Sequence, residues 1–254
     1  MTLLSLQSVT RRFGGLVAVD AIDLDVADGG VTAVIGPNGA GKTTLFNLIS
    51  GFQTPDAGRI VFAGSDITAQ PPEAIAAAGL VRTFQLVQLF QNLSVLENIQ
   101  IGGHLHTKGG LWSALLRPRR TRQAEREIEI QARELLGFVG LQVAADTEAS
   151  ALAYGQQRLL EIARSLAARP RLLLLDEPAA GLSADETKRL SAAIRAIAER
   201  GTTVLLIEHD MKLVMNTADT IAVLDFGRKI AEGPPATVRE NSAVIAAYLG
   251  VGDA

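Results

Sequence analysis

The run Gly36-Pro37-Asn38-Gly39-Ala40-Gly41-Lys42-Thr43-Thr44 limits the fold more than any other stretch of the chain. It satisfies G-x-x-x-x-G-K-[ST] without a mismatch, a pattern that needs a strand before it and a helix after it. Both are legible. The apolar run VTAVI, residues 31–35, leads into it, and beyond Ala40 the residues Leu45, Leu48 and Ile49 fall at helical spacing. Glycines at 36, 39 and 41 let the backbone N–H groups curl around an anion where a Cβ would intrude. The helix start adds unsatisfied N–H groups and the positive end of its dipole. In such a loop Lys42 places a point charge on the β and γ phosphates of a nucleotide, and the Thr43 hydroxyl suits Mg2+. The alternative is a glycine turn between strand and helix.

A loop of this kind belongs in a parallel sheet, and the composition agrees. Hydrophobic residues make up 48% of the chain and aromatics only 4%, so the core is built from Ala, Val, Leu and Ile. That suits strands covered by helices better than a β-sandwich. The 254 residues allow one large α/β domain or two modest ones with a shared core. A net charge of -3 argues against a nucleic-acid partner held by phosphate neutralisation. The absence of cysteine excludes disulfides and thiolate metal sites. No run of ~18 apolar residues occurs, and the first residues lack the pattern of a secretory signal. The expectation is a cytosolic chain, with a peripheral place on a membrane protein left open.

Along the chain, residues 3–9 and 22–26 alternate as half-buried antiparallel strands do. Further strands are expected at 59–62 and 80–84, the first after the turn Pro55-Asp56-Ala57-Gly58. From Leu86 the character becomes helical: a capped start at 94–99 and a charged-faced helix at 121–136. An αβ alternation returns with helix 156–168, strand 172–175, helix 184–199 and strand 203–207, then strand 221–224 and a terminal helix 242–249.

The apolar strand Leu172 to Leu175 ends in Asp176-Glu177. A strand that apolar is buried on both faces, and its C-terminal end is where ligands sit in an open α/β sheet. Asp176 can hold magnesium directly or through water, and Glu177 is placed to polarise an attacking water. The alternative is that both acids serve only the next helix's N-terminus. His209 follows the strand 203–207, whose tip should reach the same edge; an imidazole there can bond the γ-phosphate and orient water, and the alternative is an isolated structural histidine. Gly155-Gln156 opens an amphipathic helix whose N-terminus is a second anion site with no phosphate of its own, which suggests that another chain supplies one.

The order of phosphate loop, Gln85, Leu152-Ala153-Tyr154-Gly155-Gln156-Gln157, Asp176-Glu177-Pro178 and His209 resembles the ATP-binding-cassette ATPases over essentially the whole chain. LAYGQQRLLEIAR, DEPAAGLS, IEHDMKLVM and VIAAYLG look like the ATPase subunits of branched-chain amino-acid importers. The resemblance implies an α/β P-loop NTPase with a RecA-like core and antiparallel β subdomain at 1–86 and 156–254. An inserted α-helical subdomain with the signature loop would occupy 87–155. It implies ATP and Mg2+ as ligands and catalysis by Glu177, His209 and Gln85. Thr43, Gln85 and Asp176 would hold the metal. Phe13 would stack on adenine, Gly36, Pro37, Asn38, Gly39, Ala40, Gly41, Lys42, Thr43 and Thr44 would cradle phosphate, and Ala153, Tyr154, Gly155 and Gln156 would meet the ATP of a second subunit. The loop departs from the commonest signature, LSGGQ: Ala153 lacks the hydroxyl, and Tyr154 replaces a glycine. Ser183 stands where many relatives have an aspartate that contacts the partner.

The implied partners are a second ATPase subunit in a homo- or heterodimer, membrane permease subunits and, indirectly, a periplasmic or extracellular binding protein. The implied place is the cytoplasmic face of the inner membrane. Another cargo, such as urea or lipopolysaccharide, is the alternative, and a soluble non-transport ATPase a further one. Asp225-Phe226-Gly227 reads as a turn between strands; a kinase magnesium motif would need a catalytic loop and Gly-rich lid. His104 and His106 lack a nearby acid or cysteine and are not read as a metal site. The basic run 117–122 is a solvated face or a contact for lipid headgroups or acidic residues.

Overall fold

Ten strands carry the first of two compact units in a computed structural model that describes residues 1–103 and 118–249. The units are Met1–Gln85 with Arg171–Ala254, and Leu86–Pro170. In the first, β1 (Thr2–Phe13), β2 (Leu16–Ala27), β4 (Ala57–Phe62) and β5 (Ser65–Asp66) form an antiparallel sheet in the order β2-β1-β4-β5. The second sheet contains β3 (Val31–Ile35), β6 (Leu80–Arg82), β7 (Leu172–Asp176), β8 (Thr203–Ile207), β9 (Thr220–Asp225) and β10 (Arg228–Gly233), in the order β10-β9-β3-β8-β7-β6. All its pairings are parallel except β10 with β9.

The strand chemistry explains these places. Every residue of VTAVI, LLLLD and TVLLI is buried, as central parallel strands require. In register, Val34 pairs with Ile207 and Ile207 with Asp176, so β3, β8 and β7 end side by side. The phosphate loop, Glu177 and His209 therefore leave one edge of the sheet. β1 and β2 run well beyond the alternating segments expected at 3–9 and 22–26, because β-bulges re-aim them. Ser8 and Ala21 sit at φ 49 and the ladder shifts register near both. β6 stops at Arg82 rather than 84; Thr83 still donates to the Leu174 carbonyl at 2.9 Å before the chain leaves the sheet.

Among the helices, α1 (Lys42–Ile49) follows the phosphate loop and α2 (Pro72–Ala77) precedes β6. The second unit is built from α3 (Val95–Gly103), α4 (Pro118–Val139) and α5 (Tyr154–Ala167) around one apolar cluster that includes Val95, Ile99, Leu136, Leu152 and Leu160. Ser94 caps α3 as expected: its Oγ accepts from Glu97 N–H at 3.1 Å while Glu97 accepts from Ser94 N–H at 2.8 Å. Because α5 packs on α3 and α4, this unit ends at Pro170, whereas the sequence suggested a return to the core at 156. His104, His106 and Arg117 lie outside the described residues, as do the side chains of Arg119, Arg120 and Arg122.

A Cβ on Gly102 would sit 2.0 Å from the Arg164 carbonyl oxygen, so α3 and α5 cross with backbones nearly touching. Gly102→Val is expected to cost about 1–3 kcal/mol, read as a lower urea midpoint. An unchanged midpoint would show that the crossing yields without strain.

The remaining helices, α6 (Ala184–Glu199), α7 (Met211–Thr217), α8 (Pro235–Arg239) and α9 (Ser242–Leu249), belong to the first unit. α2, α7 and α8 are too short to show a helical period; proline at the start of two and Asp210 capping α7 through Lys212 and Leu213 N–H are their local signals. Among the described residues no helix is long and apolar enough to cross a membrane.

Candidate active site

The phosphate loop joins β3 to α1, with Gly36 at φ 153, Gly39 at φ 79 and Gly41 at φ 97. The reason for the glycines differs from the one the sequence suggests. A Cβ on Gly36 would lie 2.1 Å from Leu224 O, and one on Gly41 2.3 Å from Ala18 O; on Gly39 it would meet nothing within 4 Å. Gly36 and Gly41 let the loop nest against the protein's own backbone, and Gly39 answers only to its dihedral. The loop is also tied to the β9–β10 hairpin, where Gly227 N–H donates to Ala40 O at 3.1 Å.

Lys42 is buried, and its Nζ donates to Gly36 O and Pro37 O, both at 2.8 Å. Burial lowers its pKa from the ordinary lysine value, and the Glu177 carboxylate acts against the shift. A cleft of about 440 Å³ opens over the loop, lined by Asn38, Gly39, Ala40, Gly41, Lys42, Thr43 and Thr44 together with Phe13, Glu177 and Phe226. Gly36 and Pro37 are outside its lining; their carbonyls serve Lys42 instead.

Glu177 follows β7 at φ 45, a left-handed conformation rare for a side-chain-bearing residue and typical of strained functional positions. Its N–H donates to Ile207 O at 3.0 Å. Gln85 Nε2 donates to Glu177 Oε2 at 2.9 Å, and His209 Nδ1 stands 3.9 Å from the same oxygen. Asp176, by contrast, is buried and outside the cleft lining, with Oδ2 2.8 Å from Arg82 Nη2.

Three participants escaped the sequence reading. Arg82 is a cation in an otherwise apolar strand, and that anomaly was the available signal. Glu208, between a buried strand and His209, is 0% exposed and accepts from Ala179 N–H at 2.7 Å, His209 N–H at 3.1 Å and Asp210 N–H at 3.3 Å. Burial raises its pKa above the ordinary carboxylate value, and those N–H donors pull it back. Phe226 is 86% exposed at φ 42 in the turn between β9 and β10, where the sequence placed a plain turn, and it faces the cleft. An aromatic at a hairpin position that normally takes Asn, Asp or Gly was its signal.

Phe13 closes β1, half-exposed at the cleft. The Arg11 guanidinium covers one face of its ring at 4.9 Å and is itself held by Asp56 at 3.0 Å, so the ring is braced from behind. Ala153, Tyr154, Gly155 and Gln156 are in the second unit, at the start of α5. Ala153 is the N-cap residue without a capping side chain, and Gln156 Oε1 accepts from Ala153 N–H at 3.2 Å. Gln156 thus serves its own helix, while Tyr154 is exposed. Ser183 caps α6: Glu186 Oε2 accepts from Ser183 N–H at 2.9 Å, and Ser183 Oγ accepts from Glu186 N–H at 3.4 Å.

Known proteins resemble this chain over nearly its whole length. Residues 19–180 match the family described as ABC transporter, and residues 228–254 match one described as branched-chain amino acid ATP-binding cassette transporter. The high-affinity branched-chain amino acid transport ATP-binding protein BraF of Pseudomonas aeruginosa is 47% identical over 249 residues, 98% of each chain. LivG of Escherichia coli K12, which carries the same description, is 46% identical over the same share. Among solved structures, the ADP conformation of MJ1267, an ATP-binding cassette of an ABC transporter, superimposes with a TM-score of 0.86 at 34% identity, covering 98% of this chain and 99% of that one. A nucleotide-free cassette from an ABC transporter gives 0.84 at the same identity and coverage. The likeness spans both units and agrees with the α/β P-loop fold, so the chain belongs to the ABC transporter family and is one of its ATPases.

Proposed function

We propose that this chain is the ATP-hydrolysing subunit of an importer for branched-chain amino acids. In this reading it pairs with a second ATPase subunit beneath permease subunits at the cytoplasmic face of the membrane. The observation that carries the hydrolytic part is the meeting of Gln85 and His209 at Glu177 Oε2, beside a cleft lined by the phosphate loop. The cargo rests on what BraF and LivG are named for and on the match over residues 228–254.

The adenine lies against Phe13, and the phosphates lie over the N–H groups at the start of α1. Lys42 exchanges the carbonyls of Gly36 and Pro37 for phosphate oxygens. Thr43, Asp176 and Gln85 offer hydroxyl, carboxylate and amide oxygens, the hard donors that magnesium takes, so the residues fit that ion. When bound, magnesium neutralises charge on the transferring phosphate. Glu177 Oε2 accepts a proton from the attacking water, Gln85 keeps that carboxylate in place, and His209 bonds the γ-phosphate. Glu208 clamps the backbone after Glu177 to the backbone of His209 through Ala179.

Ala153 has no hydroxyl to give, so the N–H groups around Gly155 at the start of α5 hold the γ-phosphate of the opposing subunit. Gly155→Asp is expected to cut ATP turnover by about 100-fold or more, as loss of a charge-stabilising donor does, with ATP affinity of the isolated subunit unchanged. Turnover at the wild-type rate would remove this loop from the reaction.

The cargo is tested in cells that lack this chain. Labelled leucine, isoleucine and valine uptake should fall to background while urea uptake stays unchanged. Full retention of leucine uptake would overturn the cargo reading without touching the ATPase.

A further inference from the structure

Arg82 ends β6 with its side chain inside the protein; it is 7% exposed, and the Asp176 side chain it meets is 6% exposed. Nη2 lies 2.8 Å from Asp176 Oδ2, while Nη1 donates to Asn47 Oδ1 at 2.8 Å and Ser50 Oγ at 2.9 Å. The guanidinium carbon stands 5.8 Å from the Phe46 and Phe52 ring centroids and 5.4 Å from that of Phe84. Phe46 and Asn47 lie on α1, and Ser50 caps its end. One planar cation thus ties the phosphate-loop helix to the end of β7.

A purely structural staple is the plain account of such a pair. The location argues for more. A buried carboxylate needs a partner that fixes its direction, and a guanidinium does so. Arg82 Nη2 meets Asp176 at Oδ2, and the carboxylate has a second oxygen to offer. The guanidinium's planar fork spans Asp176, Asn47 and Ser50 together, so the carboxylate is fixed relative to the helix that carries Thr43.

We infer that Arg82 is a positioning residue for the divalent-cation site: it orients Asp176 through Oδ2 so that its other oxygen serves magnesium or a magnesium-bound water. The inference rests on the reading of Asp176 as a magnesium residue proposed above. Partners of metal-binding carboxylates orient them, and losing one lowers metal affinity by about 10–100-fold.

The test is the magnesium gain, defined as the ratio of the dissociation constants for the β,γ-imido analogue of ATP measured in EDTA and in excess Mg2+. Binding is followed by calorimetry, so no turnover is involved. Arg82→Met should leave the EDTA affinity within about twofold and reduce the gain about tenfold or more. Arg82→Lys keeps a cation but loses the fork, and its gain should fall between the two. A staple without a metal role would lower the thermal midpoint and leave the gain intact. Should the methionine variant fail to fold, the lysine variant decides: a wild-type gain in either folded variant overturns the inference. Asp176→Asn separates it from its premise. If Asp176→Asn loses the gain while Arg82→Lys keeps it, only the role of Arg82 fails; if Asp176→Asn keeps the gain, the reading of Asp176 fails first.

Discussion

Glu177→Gln is expected to bind ATP with wild-type affinity and to hydrolyse it about 10²–10⁴-fold more slowly, the range that a general base contributes. The substitution is isosteric. A glutamine amide oxygen still accepts from Gln85 Nε2, which donates to Glu177 Oε2 at 2.9 Å, so the arrangement at the sheet edge stays in place. What disappears is the basicity of that oxygen. The φ of 45 at this position is carried by the backbone and is the same for either side chain, so stability should not change. ATP should accumulate uncleaved, and in the sandwich reading it should hold two subunits together. Phosphate release measures the first effect and light scattering the second. Hydrolysis within about threefold of wild type would remove Glu177 as the base, and a monomer at saturating ATP would count against the sandwich.

Lys42→Ala is expected to weaken ATP binding about 10–140-fold. A hydrogen bond to a charged group contributes about 1.5–3 kcal/mol, and each 1.4 kcal/mol is tenfold. The effect on folding should be smaller. Lys42 occupies Gly36 O and Pro37 O, both at 2.8 Å, and its removal opens room for water to reach these carbonyls from the adjoining cleft. Burial already lowers the lysine pKa, which reflects the cost of keeping that cation out of water. Isothermal titration with ATP and a thermal melt of the same sample separate the effects. Unchanged affinity with a lowered melting point would make Lys42 a structural pin of the loop.

Much of the site could be read before any fold was known. Central parallel strands must be continuously apolar, so polar residues at their C-terminal ends stand out against VTAVI, LLLL and TVLLI. Asp176-Glu177 stands out on that contrast, the phosphate loop on its glycine and lysine spacing and His209 on its place in the motif order. The helix at 184–199 is long and periodic enough for its bounds to be read, whereas 242–249 is short and almost uniformly apolar and shows no period. Short helices such as Met211–Thr217 complete too few turns to show a period. The extent of the second unit was also hidden, because the apolar stripe of α5 says that the helix packs and does not say on what.

By itself, then, the sequence determined the strand–loop–helix around Gly36 to Thr44, the acid pair and the histidine, since each is a local pattern in residues next to one another. Only the tertiary structure decided which of them meet. Gln85 and Glu177 are 92 positions apart, and Arg82 and Asp176 are 94 apart. They become neighbours because β6 pairs with β7 in the sheet order. The same holds for the glycines. Their spacing is local, but the carbonyls of Leu224 and Ala18 that forbid a Cβ at 36 and 41 arrive from β9 and β2. A chain's own neighbours set its periods and turns, whereas contacts between strands depend on sheet order, which no local pattern records.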